Sequence, residues 1–211
     1  DDDGFAAQVA SIYGQYRDTL PDHLRRLLDQ YRLTDVAQKV VGVGSVGTRC
    51  AVILFEGRGM LDPLVLQMKE AQPSLLEPYV GASEYRHSGQ RVVTGQQTMQ
   101  ALSDIFLGWS HAEGTDFYVR QLRDLKGSVD LLRMRARSLL RYSALCGRTL
   151  ARAHARSLGP GLIAGYLGNG RTFADAIATF ATRYADQTER DHRALVEAVA
   201  SGRVQADPHR R

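Results

Sequence analysis

Two features of the chain have residue types and spacing that could do chemistry together. Gly42, Gly44 and Gly47 form G-x-G-x-x-G inside "KVVGVGSVGTRCAVILFEG", with Ser45 among them. Further on, "PLVLQMKEA" carries Lys69. Glycines lack a Cβ, so their backbone N–H groups can come close to phosphate oxygens. Ser45 adds a hydroxyl donor, and a lysine ammonium adds a compact positive charge. The same glycine spacing in a dinucleotide-binding fold must open a helix, because the pyrophosphate rests on a helix N-terminus. Here "TRCAVILFEG" follows, which reads as a strand, so that fold is set aside. Two readings of the glycines stay open: a phosphate-covering hairpin, or a plain turn between strands. For Lys69 the plain alternative is a strand-end lysine in water.

The elements around these residues favour the first reading. Residues 3–32 show helical spacing, with Pro21 at the start of a second helix. The runs "KVVGVG", "RCAVILFEG", "PLVLQMKEA", "IFLGWS" and "DFYVRQL" then read as five strands, bounded by turns such as "EGRGMLDP" and "HAEGTD". One helix, about 88–104, interrupts them. On the third strand Leu66 and Met68 face one way, Gln67 and Lys69 the other. Strand, glycine loop, strand, then a lysine on the third strand is the protein-kinase arrangement. The fold class expected is α+β: a five-stranded antiparallel sheet with one inserted helix, kinase-like, followed by a helical lobe. The expected divisions are a helical segment over 1–36, a β-rich nucleotide-binding lobe over 37–124 and a helical lobe over 125–211. Backbone groups near Gln121 and Leu122, at the end of the fifth strand, would meet an adenine edge.

The same comparison exposes gaps. Between Glu84 and Asp104 there is no acid to pair with Lys69, which leaves Glu77 or Glu84 from the preceding segment. Gln67 stands where a small residue roofs the adenine in kinases. After "LARAHARS" there is no His-x-Asp-x4-Asn segment and no acid before Asp175, so no catalytic residue is assigned.

Bulk properties bound the remaining options. The chain has 211 residues, 44% hydrophobic and 24% charged, with net charge +4, the composition of a globular protein. Its longest apolar run, Ala51 to Phe55, is far too short for a membrane span. No N-terminal signal segment is visible. Two cysteines without metal-ligand spacing suit a reducing compartment, and a cytoplasmic location is expected. From Leu131 to Ser157 there are seven arginines and no acid. Leu132, Leu139, Cys146 and Leu150 share one face of that helix, and the arginines gather on another. The last helix is expected from Thr172, with Thr172-x-x-Asp175 as a capping box, a buried stripe of Phe173, Ile177, Phe180 and Tyr184, and a stop at Gly202.

Several segments, among them "VVGVGSVGTRC", "LQMKEAQPSLLEPY", "GQRVVTGQQTMQALSDIFLGW", "DFYVRQLRDLKGSVD", "CGRTLARAHARS" and "YADQTERDH", resemble the bacterial family called domain of unknown function 2252. The resemblance runs from about Val40 to Arg203. It implies a permuted kinase-like or aminoglycoside-phosphotransferase-like fold. The family's Gly-Asp-x-His-x-x-Asn-Phe-Gly and Asp-x-Asn-Asp-Phe-Asp segments would supply the catalytic loop and metal-binding aspartate ahead of the glycine loop. This chain then corresponds to the C-terminal half, and its opening "DDDGF" fits a truncated start. An acid would be expected where Thr94 stands.

The expected function is thus the nucleotide-binding portion of a phosphotransferase of unknown substrate, binding ATP with Mg²⁺. The alternative is a non-catalytic module whose arginine face takes an acidic partner. Expected partners are a nucleotide, the N-terminal half of the same protein and, through uncovered apolar surface, a second copy; neither nucleic acid nor membrane is expected. His154 is expected to pack or cap. Asp186, Glu189 and Asp191 could bind a metal, but neighbouring Arg183 and Arg190 favour ion pairing. No metal site is assigned.

Overall fold

The computed structural model of the protein describes residues 11–39, 47–59, 62–122, 127, 129–157 and 159–205. By packing, the chain divides into two compact units, 1–157 and 158–211.

The first unit is built on an antiparallel sheet in the order β1-β2-β3-β5-β4. Its strands are β1 (Arg32–Gln38), β2 (Cys50–Glu56), β3 (Pro63–Ala71), β4 (Gly108–Ala112) and β5 (Thr115–Gln121). Helices α1 (11–18) and α2 (Asp22–Leu28) precede the sheet. Helices α3 (Glu77–Val80) and α4 (Ser88–Met99) lie between β3 and β4 in the chain. A 3₁₀ turn (Leu131–Arg133) leads into α5 (Ala136–Ser157). The chain is therefore α+β with five antiparallel strands, as its sequence leads one to expect.

One face of the sheet is closed by α1 and α2. Ile12, Tyr16, Leu20, Leu24 and Leu28 recur every four residues, and all are buried against Ala51, Ile53 and Phe55 of β2, Leu64, Leu66 and Met68 of β3, and Phe117 and Val119 of β5. The polar groups in this layer are satisfied. Tyr16 Oη donates to the Phe106 carbonyl at 2.8 Å, and Ser110 Oγ donates to the Ile12 carbonyl at 2.9 Å. The Tyr16 ring fits only because residue 108 is glycine: a Cβ there would come within 2.7 Å of the ring.

Some boundaries differ from those expected. The first strand is "RLTDVAQ", not "KVVGVG"; Lys39 follows it, and Val40–Ser45 lie outside the described residues. Only Leu33 and Val36 of β1 join the margin of the core, and the strand carries a register irregularity between Leu33 and Asp35. An edge strand with so little apolar content gives weak alternation. Helix α4 stops at Met99, five residues short of the expected end, because the chain turns there through Leu102–Asp104 to deliver Phe106 to the core.

The second unit contains α6 (Pro160–Leu167), which falls within the expected helical lobe without being singled out from the sequence, and α7 (Arg171–Ala200). The N-cap of α7 is Gly170 in the left-handed region, φ +75°, so Thr172 lies inside the helix and the expected capping box is not made. Gly202 takes φ +73° just beyond the end of the helix. The stripe Phe173, Ile177, Phe180 and Tyr184 is exposed rather than buried, by 49–60%. Its helical spacing is real, yet Phe180 and Tyr184 stack chiefly on each other, at 5.5 Å. Leu139 and Leu150 of α5, and Leu132 before it, are exposed as well.

The closed face of the sheet should dominate stability. Leu66→Ala, at a wholly buried position, is expected to cost about 2–5 kcal/mol. Leu132→Ala, at a side chain 98% exposed, should leave the urea midpoint where it is. Equal shifts in the two variants would contradict this assignment of the core.

Candidate functional site

Because α1 and α2 bury Leu64, Leu66 and Met68, strand alternation sends Val65, Gln67 and Lys69 to the opposite face. Register then sets their neighbours. Lys69 lies between Cys50 and Tyr118, with Trp109 beyond Tyr118; Gln67 lies between Val52 and Arg120. Lys69 is half-buried, and no acid among the described residues is within ion-pair distance of it. Neither acid considered from the sequence reaches it: Glu77 Oε1 accepts from the Ser74 N–H at 3.2 Å, and Glu84 is exposed. Gln67 is buried and fully engaged. Its Oε1 accepts from Arg120 Nη2 at 3.2 Å and Nε at 3.4 Å, and its Nε2 donates to Cys50 Sγ at 3.6 Å. This face is therefore polar where a kinase-like adenine roof would be apolar.

Of the glycine loop, Gly42, Gly44 and Ser45 lie outside the described residues. Gly47 has φ +83°, and a Cβ there would meet nothing within 4 Å, so the turn and not crowding calls for glycine. At the end of β5, the Gln121 N–H donates to Asp104 Oδ2 at 2.6 Å and the Leu122 N–H to the Val65 carbonyl at 2.9 Å. Neither N–H is open to a base edge.

A second group of residues on the same face was not picked out from the sequence. His111 and Asp116 face each other across the β4–β5 hairpin, whose two-residue turn is Glu113 (φ +49°) and Gly114 (φ +73°). His87 comes to them from the start of α4. His111 Nδ1 lies 2.7 Å from Asp116 Oδ1, and the Ser88 N–H donates to Asp116 Oδ2 at 2.6 Å. His87 is the N-cap of α4: its Nδ1 accepts from the Gln90 N–H at 3.2 Å. A neutral imidazole that accepts at Nδ1 carries its proton on Nε2. That Nε2 is buried, stops 3.5 Å from Asp116 Oδ1, and has no hydrogen-bond partner among the described residues. The His87 and Asp116 side chains are largely buried, while His111 is half exposed. Trp109 lies beside His87, at 6.4 Å between ring centroids.

Asp116 thus ties α4 to the hairpin, and Gly89 allows the close approach: a Cβ there would collide with the Phe117 carbonyl oxygen. Burial pushes the Asp116 carboxyl up. The His111 hydrogen bond, the Ser88 N–H and the charges of His87 and His111 outweigh it and hold the carboxyl below its ordinary value. One sequence signal pointed here. In "HAEGTD" a two-residue turn opposes the residues five apart that flank it, His111 and Asp116. Nothing local brings in His87.

The other candidate positions are ordinary surface. His154 is exposed rather than packed, since α5 turns Ala153 and not its neighbour inward. Glu189 pairs with Arg193 at 3.9 Å, and Asp191 accepts from Gln187 Nε2 at 2.7 Å. Cys50 and Cys146 are both free thiols. No helix among the described residues is long and apolar enough to cross a membrane.

A carboxyl with a lowered folded-state pKa contributes stability above its unfolded value, 3.8, and loses that contribution as pH falls through the lower folded value. Asp116→Asn should therefore be less stable than the parent at pH 6, with the gap closing below about pH 4. Chemical unfolding of both proteins across pH 2.5–7 checks this in about ten steps; a gap that does not depend on pH would remove the carboxylate from the account.

No curated protein and no solved structure matches the chain. A family model does match, over residues 1–198: the uncharacterised proteins conserved in bacteria that make up domain of unknown function 2252. With nearly the whole chain covered, the protein belongs to that family.

Proposed function

We propose that this chain is the nucleotide-binding part of a kinase-like phosphotransferase. It would hold ATP with Mg²⁺ on the sheet face that carries Lys69. The observation that carries the reading is the place of Lys69. It stands on the third strand of a sheet ordered β1-β2-β3-β5-β4, on the face away from the core. A kinase-like nucleotide lobe carries a lysine on its third strand, after the glycine loop, and uses it on the α- and β-phosphates. In this reading Gly42, Gly44, Ser45 and Gly47 cover the phosphates. Contacts from Gln121 and Leu122 to a base fall to their carbonyl oxygens, since their N–H groups are taken. The catalytic acids belong to the family segments that precede the glycine loop in the permuted order, so the activity proposed for these residues is binding and not transfer.

Two departures weaken the fit in a defined way. Helix α4 has no acid to hold Lys69 in place, and the Gln67–Arg120 pair occupies the adenine roof. Both lower affinity, so binding in the millimolar range is expected. Isothermal titration of the chain with ATP and Mg²⁺ should release heat at millimolar nucleotide, and Lys69→Met should abolish it. No heat from the parent protein, or an unchanged titration in Lys69→Met, would sink the proposal.

A second reading rests on α5. Arg137, Arg141, Arg148 and Arg152 are exposed, the helix holds no acid, and none of the four is in an ion pair with a described residue. Such a face suits an acidic protein surface. Its mark would be binding that weakens steeply with added salt and is lost in Arg137→Glu/Arg141→Glu.

A further inference from the structure

We propose that His87, His111 and Asp116 form a binding site for a transition-metal ion of the Zn²⁺ type. Three ligand atoms from the start of α4 and from two adjacent strands lie within 4.8 Å of one another. Two imidazoles and one carboxylate are the donor set that Zn²⁺ and its neighbours prefer, whereas Mg²⁺ and Ca²⁺ seek oxygen alone.

Spacing supports the assignment. Ligands 2.0–2.2 Å from one ion stand about 3.3–3.6 Å apart at a tetrahedral angle. His87 Nε2 and Asp116 Oδ1 are already 3.5 Å apart. His111 Nδ1, at 2.7 Å from the same oxygen and no more than 4.8 Å from the His87 ligand atom, would have to shift to reach that spacing, and its half-exposed side chain has room to do so. As a purely hydrogen-bonded clamp the cluster leaves one member unused: His87 Nε2 is buried with no hydrogen-bond partner among the described residues. An ion at this point would use it. It would also leave one coordination position open beside the half-exposed His111.

Ion binding has a defined cost. His87 Nδ1 now accepts from the Gln90 N–H, which keeps the ring proton on Nε2. Coordination through Nε2 moves that proton to Nδ1, and the cap bond to Gln90 is lost. In His111 the proton moves from Nδ1 to Nε2, so neither ring loses a proton overall. Losing one cap changes an equilibrium constant by roughly tenfold. A structural Zn²⁺ site with four protein ligands binds its metal by many powers of ten, and a fraction of that from three ligands exceeds the loss of one cap. The metal therefore wins, and it uncaps α4 as it binds.

The site is independent of the nucleotide reading, which keeps the two tests separable. Co²⁺ added to the full chain should give the visible absorption of a four- or five-coordinate ion at one equivalent, and Zn²⁺ should displace it. His111→Ala should weaken Zn²⁺ by more than the 100-fold or so that the loss of an outer-shell partner can cost. His111→Gln, which keeps the size and polarity of a half-exposed side chain, should do the same. Lys69→Met should leave metal binding unchanged. Hydrogen exchange of the Gln90 amide should quicken when the metal binds. Failure to bind Co²⁺ or Zn²⁺, an affinity in both His111 variants equal to that of the parent protein, or a Gln90 amide whose exchange ignores bound metal would each overturn the assignment.

Discussion

The packing of α1 and α2 onto one face of the sheet is the constraint on which the rest depends. Tyr16, Leu20 and Leu28 are almost entirely removed from water, and Phe55, Leu66, Phe117 and Val119 meet them. Strand side chains alternate with period two, so fixing these residues inward leaves no freedom for their neighbours. Gln67, Lys69, Tyr118, Trp109, His111 and Asp116 must all appear on the other face. The hydrophobic effect thus chooses the location of the chemistry without touching any of the residues that would perform it.

That second face has two polar regions side by side. Toward β2, Lys69 adjoins Cys50 and Tyr118, with the Gln67–Arg120 pair one step along the strands. Toward the β4–β5 turn, Asp116 draws in His87 and His111. The first region has an excess of positive charge and the second is centred on a carboxylate. Asp116 is two residues along β5 from Tyr118, the cross-strand partner of Lys69. The two regions therefore share strands, and a change in register would move both together.

How much of this was legible depended on how local each signal is. Strand β3 could be read to the residue, because "PLVLQMKEA" carries its own alternation and ends in a clear turn, and Lys69 was legible with it. Strand β1 was not, since Leu33 and Val36 are its only contributions to the core and "RLTDVAQ" continues a helical pattern from α2. The apolar stripes of α5 and α7 were read correctly as periodicity, and that of α7 wrongly as burial; periodicity says which residues share a face, but not that something covers it. The His87–His111–Asp116 cluster required knowing where α4 begins relative to β5, and no spacing along the chain encodes that.

Gly89 gives α4 a mechanical character. With no room for a Cβ against the Phe117 carbonyl, and with the Ser88 amide held by Asp116, the first turn of the helix is pinned to β5 at a point. From Gly89 to Met99 the axis rises about 15 Å, and at its far end the Met99 carbonyl accepts from Arg156 Nη1 of α5. A tilt of about 10° around the pinned turn would sweep that end through roughly 3 Å. The helix has the geometry of a lever, with its fulcrum at the histidine–aspartate cluster and its long arm resting on α5, so a slight rearrangement at the fulcrum would be enlarged before it reached the arginine-bearing helix.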